Sequence, residues 1–153
     1  RMPRQPAPPV SYGGPDNWAA ANMMAALIEG LGGVVDGDRA YETVTLSPRW
    51  TATLSKRAKL IARYPASKGY VAYAFAHDTD ARSLDLTVTG SGRAFRARVL
   101  LPRGTDVAGV SLDGRVVKAA TTTVESSRYA ELDVPAGVHD IQLRYAAART
   151  AAR

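Results

Sequence analysis

At 153 residues and 46% hydrophobic content, the chain fits one domain with a buried core, or one domain plus a leftover segment. With no Cys there is neither a disulfide framework nor thiol chemistry, and the compartment is left open. Lys and Arg number 20 against 14 Asp and Glu, a net +6. The cations are scattered, and the tightest cluster, Lys56-Arg57-Ala58-Lys59, is brief, so the charge predicts solvated surface and no nucleic-acid partner.

No run approaches the ~18 apolar residues of a membrane span, so a soluble chain without a membrane partner is expected. Residues 1–15 hold Pro3, Pro6, Pro8, Pro9 and Pro15 with Tyr12-Gly13-Gly14, an extended segment without the apolar core of a signal peptide. Residues 16–40 contain the one convincing helix, Trp18 to Gly30, and a linker. Pro15 and Asp16-Asn17 supply its start signal; Gly30 with Gly32-Gly33 supplies its stop. The helix is apolar on nearly every side. Ala20, Met24, Leu27 and Leu31 form one row, Met23 and Ala26 another, and only Trp18, Asn22, Ala25 and Glu29 make a partly polar line. A helix of that pattern is buried by neighbours, and one sheet covers only one side. A covering body is therefore expected: an absent α-helical domain, a second subunit or another copy of the chain.

Residues 41–146 read as an antiparallel β-sandwich, jelly-roll-like, of about nine strands, with residues 147–153 a tail. Gly32 to Asp38 is turn chemistry around the apolar plug Val34-Val35. Val44 and Leu46 then share a face. Lys59–Tyr64 leads through Pro65–Gly69 into Tyr70–Phe75, where Val71, Tyr73 and Phe75 align. Leu84, Leu86 and Val88 alternate with polar residues, and Phe95, Ala97, Val99 and Leu101 alternate with Arg96 and Arg98. Val107–Leu112 turns at Asp113-Gly114, a favoured hairpin pair, into a strand Arg115–Val124. Tyr129–Val134 and Val138–Tyr145 follow, the latter with Ile141, Leu143 and Tyr145 inward. Turn signals every ~8–12 residues are the mark of a sandwich.

Chemistry-bearing motifs are sparse. His77 and His139 each precede an aspartate in or beside a turn, without a second His or Cys at ligand spacing, so no metal or cofactor is predicted. No Gly-x-Ser-x-Gly elbow occurs, and Gly30-Leu31-Gly32-Gly33 follows a helix where a dinucleotide loop must precede one. Glu29 shares a helix line with Trp18 and Asn22 and is the weak catalytic candidate; its second carboxylate would be Asp36, Asp38 or one from another chain. Trp50, after Pro48-Arg49, reads as a wedge between helix and sandwich. Trp18, Asn22, Tyr12 and Asn17 are the ligand-binding candidates. Trp18 stands at a helix N-terminus, whose unpaired N–H groups meet ligand oxygens, and its flat ring suits a sugar face.

The order Asn17-Trp18-Ala-Ala-Ala-Asn22-Met-Met-Ala-Ala-Leu-Ile-Glu29-Gly30-Leu31, Val44-Thr-Leu46-Ser-Pro48-Arg49-Trp50, Val110-Ser-Leu-Asp113-Gly114 and Pro135-Ala-Gly137-Val-His139 resembles the C-terminal region of a six-hairpin (α/α)-barrel glycoside hydrolase. There a last barrel helix runs through a linker into an antiparallel sandwich. The resemblance implies an accessory part of a carbohydrate-active enzyme, with the barrel absent and residues 12–17 at its mouth. It supplies no catalytic acid or base motif. Two further readings stand beside it: a free-standing carbohydrate-binding module with Tyr70 and Tyr73 as its aromatics, and a structural or assembly subunit that buries its helix against copies of itself.

Overall fold

The computed structural model describes residues 17–147. The helix α1 (Asn17–Ala25) continues into a wider π turn, Ala26–Leu31. Eleven strands follow among the described residues: β1 (Val34–Asp36), β2 (Thr43–Leu46), β3 (Arg57–Arg63), β4 (Tyr70–Asp78), β5 (Ser83–Gly90), β6 (Ala94–Leu100), β7 (Thr105–Leu112), β8 (Arg115–Val117), β9 (Ala120–Val124), β10 (Ser127–Pro135) and β11 (His139–Ala147). They form a five-stranded sheet in the order β1-β2-β6-β10-β9 and a six-stranded sheet in the order β3-β4-β5-β11-β7-β8. The molecule is a β-sandwich with a helix at its front.

Period-two alternation builds the core. Val71, Tyr73 and Phe75 of β4 and Leu84, Leu86 and Val88 of β5 bury the inner face of the six-stranded sheet. Phe95, Ala97 and Val99 of β6 meet them from the other sheet with Leu132 and Val134 of β10. Each such Leu, Val or Phe contributes about 1.5–3 kcal/mol on burial. Asp113 (φ 52°) and Gly114 (φ 75°) both take positive φ, the two-residue turn that joins β7 to β8.

Three details differ from the sequence reading. Val34-Val35, read as a plug within a turn, forms β1 and pairs with β2, Val34 opposite Leu46. β2 runs parallel to β6, so the five-stranded sheet is mixed. The strand read as Arg115–Val124 breaks at Lys118-Ala119, and its halves lie in different sheets: β8 on β7, β9 on β10. Only Val117 and Ala119 of that stretch pack against the core, so no apolar row holds the segment to one sheet.

The two histidines do opposite things. His139 Nδ1 lies 2.7 Å from Asp113 Oδ2, and its Nε2 donates to the Ala136 carbonyl at 3.2 Å. Both partners only accept, which suits the protonated ring; the Asp113 bond first and the Ala136 carbonyl second raise its pKa. Asp113 is lowered in turn, by the Asp140 backbone N–H and then by His139. The pair's contribution is therefore full between the carboxylate and imidazole ranges. It fades as pH rises through the raised His139 pKa, and again as pH falls through the lowered Asp113 pKa. His77, bonded to the Tyr145 hydroxyl at 2.8 Å, is lowered by burial and then by Lys56, so its contribution fades as pH falls below the ordinary imidazole range. We expect the stability difference between the parent and His139→Asn to shrink above neutral pH and that of His77→Asn to shrink below it, read from urea midpoints across a pH series.

Candidate functional site

The front of the molecule is a joint between the helix and the sandwich. A helix C-terminus leaves its last carbonyls without intrahelical partners. Here Arg49 collects them: its Nη1 donates to the carbonyls of Glu29, at 3.0 Å, and of Gly30, while its backbone N–H donates to Leu31 at 3.0 Å. A cation there also suits the negative end of the helix. The Gly32 N–H closes the π turn on the Leu27 carbonyl at 2.7 Å. The Trp50 Nε1–H donates to the Tyr73 hydroxyl at 2.7 Å, and that hydroxyl donates to the Gly32 carbonyl, also at 2.7 Å. Trp50 thus reaches the end of the helix through the Tyr73 hydroxyl. Burial pushes the Tyr73 hydroxyl up to about 12, offset in part by the Trp50 bond.

Below the joint, Asp36 Oδ1 accepts the backbone N–H groups of Tyr41 (3.1 Å) and Asp38 (3.3 Å), holding the loop that carries Ala40 and Tyr41 at positive φ. The Tyr41 ring stacks on Tyr64 with centroids 4.8 Å apart. Burial first, then the charges of Tyr64, Asp36 and Glu29, lifts the Tyr41 pKa; burial and then a hydrogen bond to Asp36 lift that of Tyr64. Gly69 fits under this loop because it lacks a Cβ, which would sit 2.1 Å from the Ala40 carbonyl oxygen.

Of the residues singled out in the sequence, Trp18, Asn22 and Glu29 lie on the exposed helix, while Tyr12 falls outside the described residues and Asn17 is the first residue of α1. Asp36 and Asp38, considered as carboxylate partners for Glu29, are engaged elsewhere: Asp36 holds its own loop, and Asp38 pairs with Arg93 at 3.6 Å. Tyr70 and Tyr73 do not form an aromatic line, since Tyr70 faces outward and Tyr73 is buried. Among the described residues no three His, Asp or Glu gather to hold a metal. The sequence reading missed the hydrogen-bonding role of Tyr73 at the joint and the stack of Tyr41 on Tyr64 beside Asp36, both of which join residues distant in sequence.

The helix itself is the open side. Trp18 is 80% exposed, Met23 73%, Met24 55% and Leu27 48%; only Ile28, near the joint, packs against the core edge. The strands of this chain do not cover the row that the sequence marks as needing cover.

No protein-family model matches the chain, and no curated protein sequence matches it. Solved structures do. A cycloalternan-forming enzyme from Listeria monocytogenes, in complex with a pentasaccharide substrate, superposes with a TM-score of 0.51 at 15% identity, over 72% of this chain and 11% of that one. An uncharacterized Listeria monocytogenes protein bound to α- and β-D-glucose, magnesium and calcium gives the same score, 15% identity and the same two coverages. An α-1,4-glucan lyase from Gracilariopsis lemaneiformis superposes at 0.46 and 13% identity, over 70% of this chain and 14% of that one. At these identities the likeness is one of fold. The chain spans about a ninth of the Listeria chains it resembles.

Proposed function

We infer that this chain is the C-terminal, accessory β-sandwich part of a larger carbohydrate-active enzyme of glycoside-hydrolase type. In that reading residues 16–40 are the last helix of an α-helical barrel and its linker, and residues 41–146 are the sandwich that braces it. The single observation that carries the reading is the uncovered apolar row Met23, Met24 and Leu27 on a helix whose base is firmly clamped. A helix fixed in direction that leaves Met23, Met24 and Leu27 exposed is built to be enclosed by something else. The fold shared with a small portion of a pentasaccharide-acting enzyme supports the choice of enzyme class. Trp18 and Asn22, on the outer helix line, are the residues offered to a sugar subsite at the mouth of that barrel, together with Tyr12 and Asn17.

Two measurements test this. Met23→Lys with Met24→Lys should leave the stability of the isolated chain within about 0.5 kcal/mol of the parent, as surface changes do. The same pair should lower the stability of the sandwich joined to its helical domain. A loss of 2 kcal/mol or more, on the scale of core truncation, in the isolated chain would mean its own strands seal the helix and would end the reading. On a glycoside panel the isolated chain should show no turnover; reproducible hydrolysis that vanishes in Glu29→Gln would assign catalysis to this chain instead. The competing cover is a second copy, and a mass in solution that doubles with concentration, and reverts in the Met23/Met24 variant, would favour it.

A further inference from the structure

Three of the cations, Arg57, Lys59 and Arg63, line up in space. Strand alternation puts Arg57, Lys59, Ile61 and Arg63 of β3 on the outer face of the six-stranded sheet, at its free edge. Opposite them on β4 lie Ala76, Ala74, Ala72 and Tyr70, and next on β5 come Asp85, Thr87 and Thr89. The result is a trough: a cationic wall, a floor of alanines, and a second wall of short acceptors. A cleft of about 190 Å³ lies over Ala74 and Ala76 between Arg57, Lys59 and Asp85, Thr87. Another of about 290 Å³ adjoins Ile61, Arg63, Lys68 and Tyr70. At about 3.3 Å per residue the wall from Arg57 to Arg63 runs on the order of 20 Å.

On the five-stranded sheet two face cations share one carboxylate. Arg96 and Arg98 both pair with Glu131, at 3.1 and 3.0 Å, and Arg98 also lies over the Tyr129 ring. Among the described residues Arg57, Lys59 and Arg63 have no carboxylate within ion-pair distance. Across the trough Asp85 is held by Gln142 and Asp140 by Thr87, so the acceptors are fixed in place and kept apart from the cations by the alanines. Edge-strand cations do guard against strand pairing. A guard alone, however, does not explain Ile61 left 73% exposed between them, or the exposed Tyr70 ring beside Arg63.

We propose that this trough binds a linear polysaccharide carrying carboxylates, a polyuronate, with its acid groups on Arg57, Lys59 and Arg63 and its hydroxyls donating to the Asp85 and Asp140 side. Charge complementarity sets the anion; the paired walls and the Tyr70 ring match a molecule with acids on one edge and hydroxyls on the other. The choice of a sugar polymer over an acidic peptide rests on the carbohydrate reading above.

Affinity electrophoresis of the chain in gels containing polygalacturonate, a neutral glucan or polyglutamate tests it. Retardation is expected with polygalacturonate alone, weakening with salt and falling about tenfold in Arg57→Gln/Lys59→Gln/Arg63→Gln. It should fall as much in Ala74→Phe, which fills the floor at a strand position that tolerates an aromatic. The helix-face variant Met23→Lys/Met24→Lys should bind like the parent, so a failure of the trough is distinct from a failure of the enclosed-helix reading. No retardation, equal retardation of the triple variant, or polyglutamate retardation that Ala74→Phe does not alter would each overturn the proposal, the last in favour of an acidic peptide.

Discussion

Replacing Gly33 by alanine is expected to destabilise the chain by about 3–5 kcal/mol, a fall in Tm of about 10 °C. Two independent causes converge on that one atom. Gly33 has φ +67°, a region that a residue with a Cβ enters at a cost of about 1–3 kcal/mol. An added Cβ would also stand 1.8 Å from the Ser47 carbonyl oxygen and 2.0 Å from its carbon, backbone atoms that cannot swing aside. The Gly33 carbonyl accepts the Ser47 N–H at 2.7 Å, so moving either strand breaks the first rung beside the joint. Gly30 is the internal control. It lies within the helix with nothing within 4 Å of its virtual Cβ, and Gly30→Ala should be neutral or stabilising by up to about 1 kcal/mol. Thermal melts followed by circular dichroism compare the two. Equal melting of Gly33→Ala and the parent would mean that the close contact with Ser47 is absent in solution.

The contrast between those glycines marks what the sequence does and does not disclose. Gly30, Gly32 and Gly33 all read as a helix stop, and that much is local chemistry. What makes Gly33 indispensable is Ser47, fourteen positions beyond it, brought back by β1–β2 pairing. The inner faces were legible because burial on one side writes a period of two directly into the residues, as in Leu84-Leu86-Val88 and Ile141-Leu143-Tyr145. Neighbour relations were not. No pattern in Val44-Leu46 indicates a parallel partner, and none in Arg57–Arg63 says that the strand is an edge with its cations in line. Sheet order depends on pairings between strands distant in sequence, such as β5 with β11 and β2 with β6, so the edge position of β3 and the stack of Tyr41 on Tyr64 appear only once the strands are placed. The apolar helix is the opposite case. Its need for cover was plain from the residues, and the structure leaves that need unmet by the chain's own strands.

Tyr73→Phe is expected to cost about 2–3 kcal/mol while keeping the ring, because the loss falls on two groups at once. The hydroxyl both donates to the buried Gly32 carbonyl and accepts the Trp50 indole N–H, each at 2.7 Å, so removing it orphans an acceptor and a donor. Trp50 is only partly buried, and water can serve its N–H; the Gly32 carbonyl has less recourse, so most of the cost sits at the joint. Two readouts separate this from a generic core defect. In a double-mutant cycle with Trp50→Phe, residues that share one hydroxyl should couple by about 1 kcal/mol or more, whereas independent packing losses would add. The second readout is pH. With its folded pKa raised to about 12 by burial against an ordinary value near 10, the Tyr73 hydroxyl contributes stability that is full below pH 10 and disappears as pH rises toward 12. Phenylalanine has nothing to ionise there. The gap between parent and Tyr73→Phe in urea midpoints should therefore narrow over that interval. A gap that is independent of alkaline pH, with simple additivity to Trp50→Phe, would remove the Trp50–Tyr73–Gly32 relay as the element that fixes the helix on the sandwich.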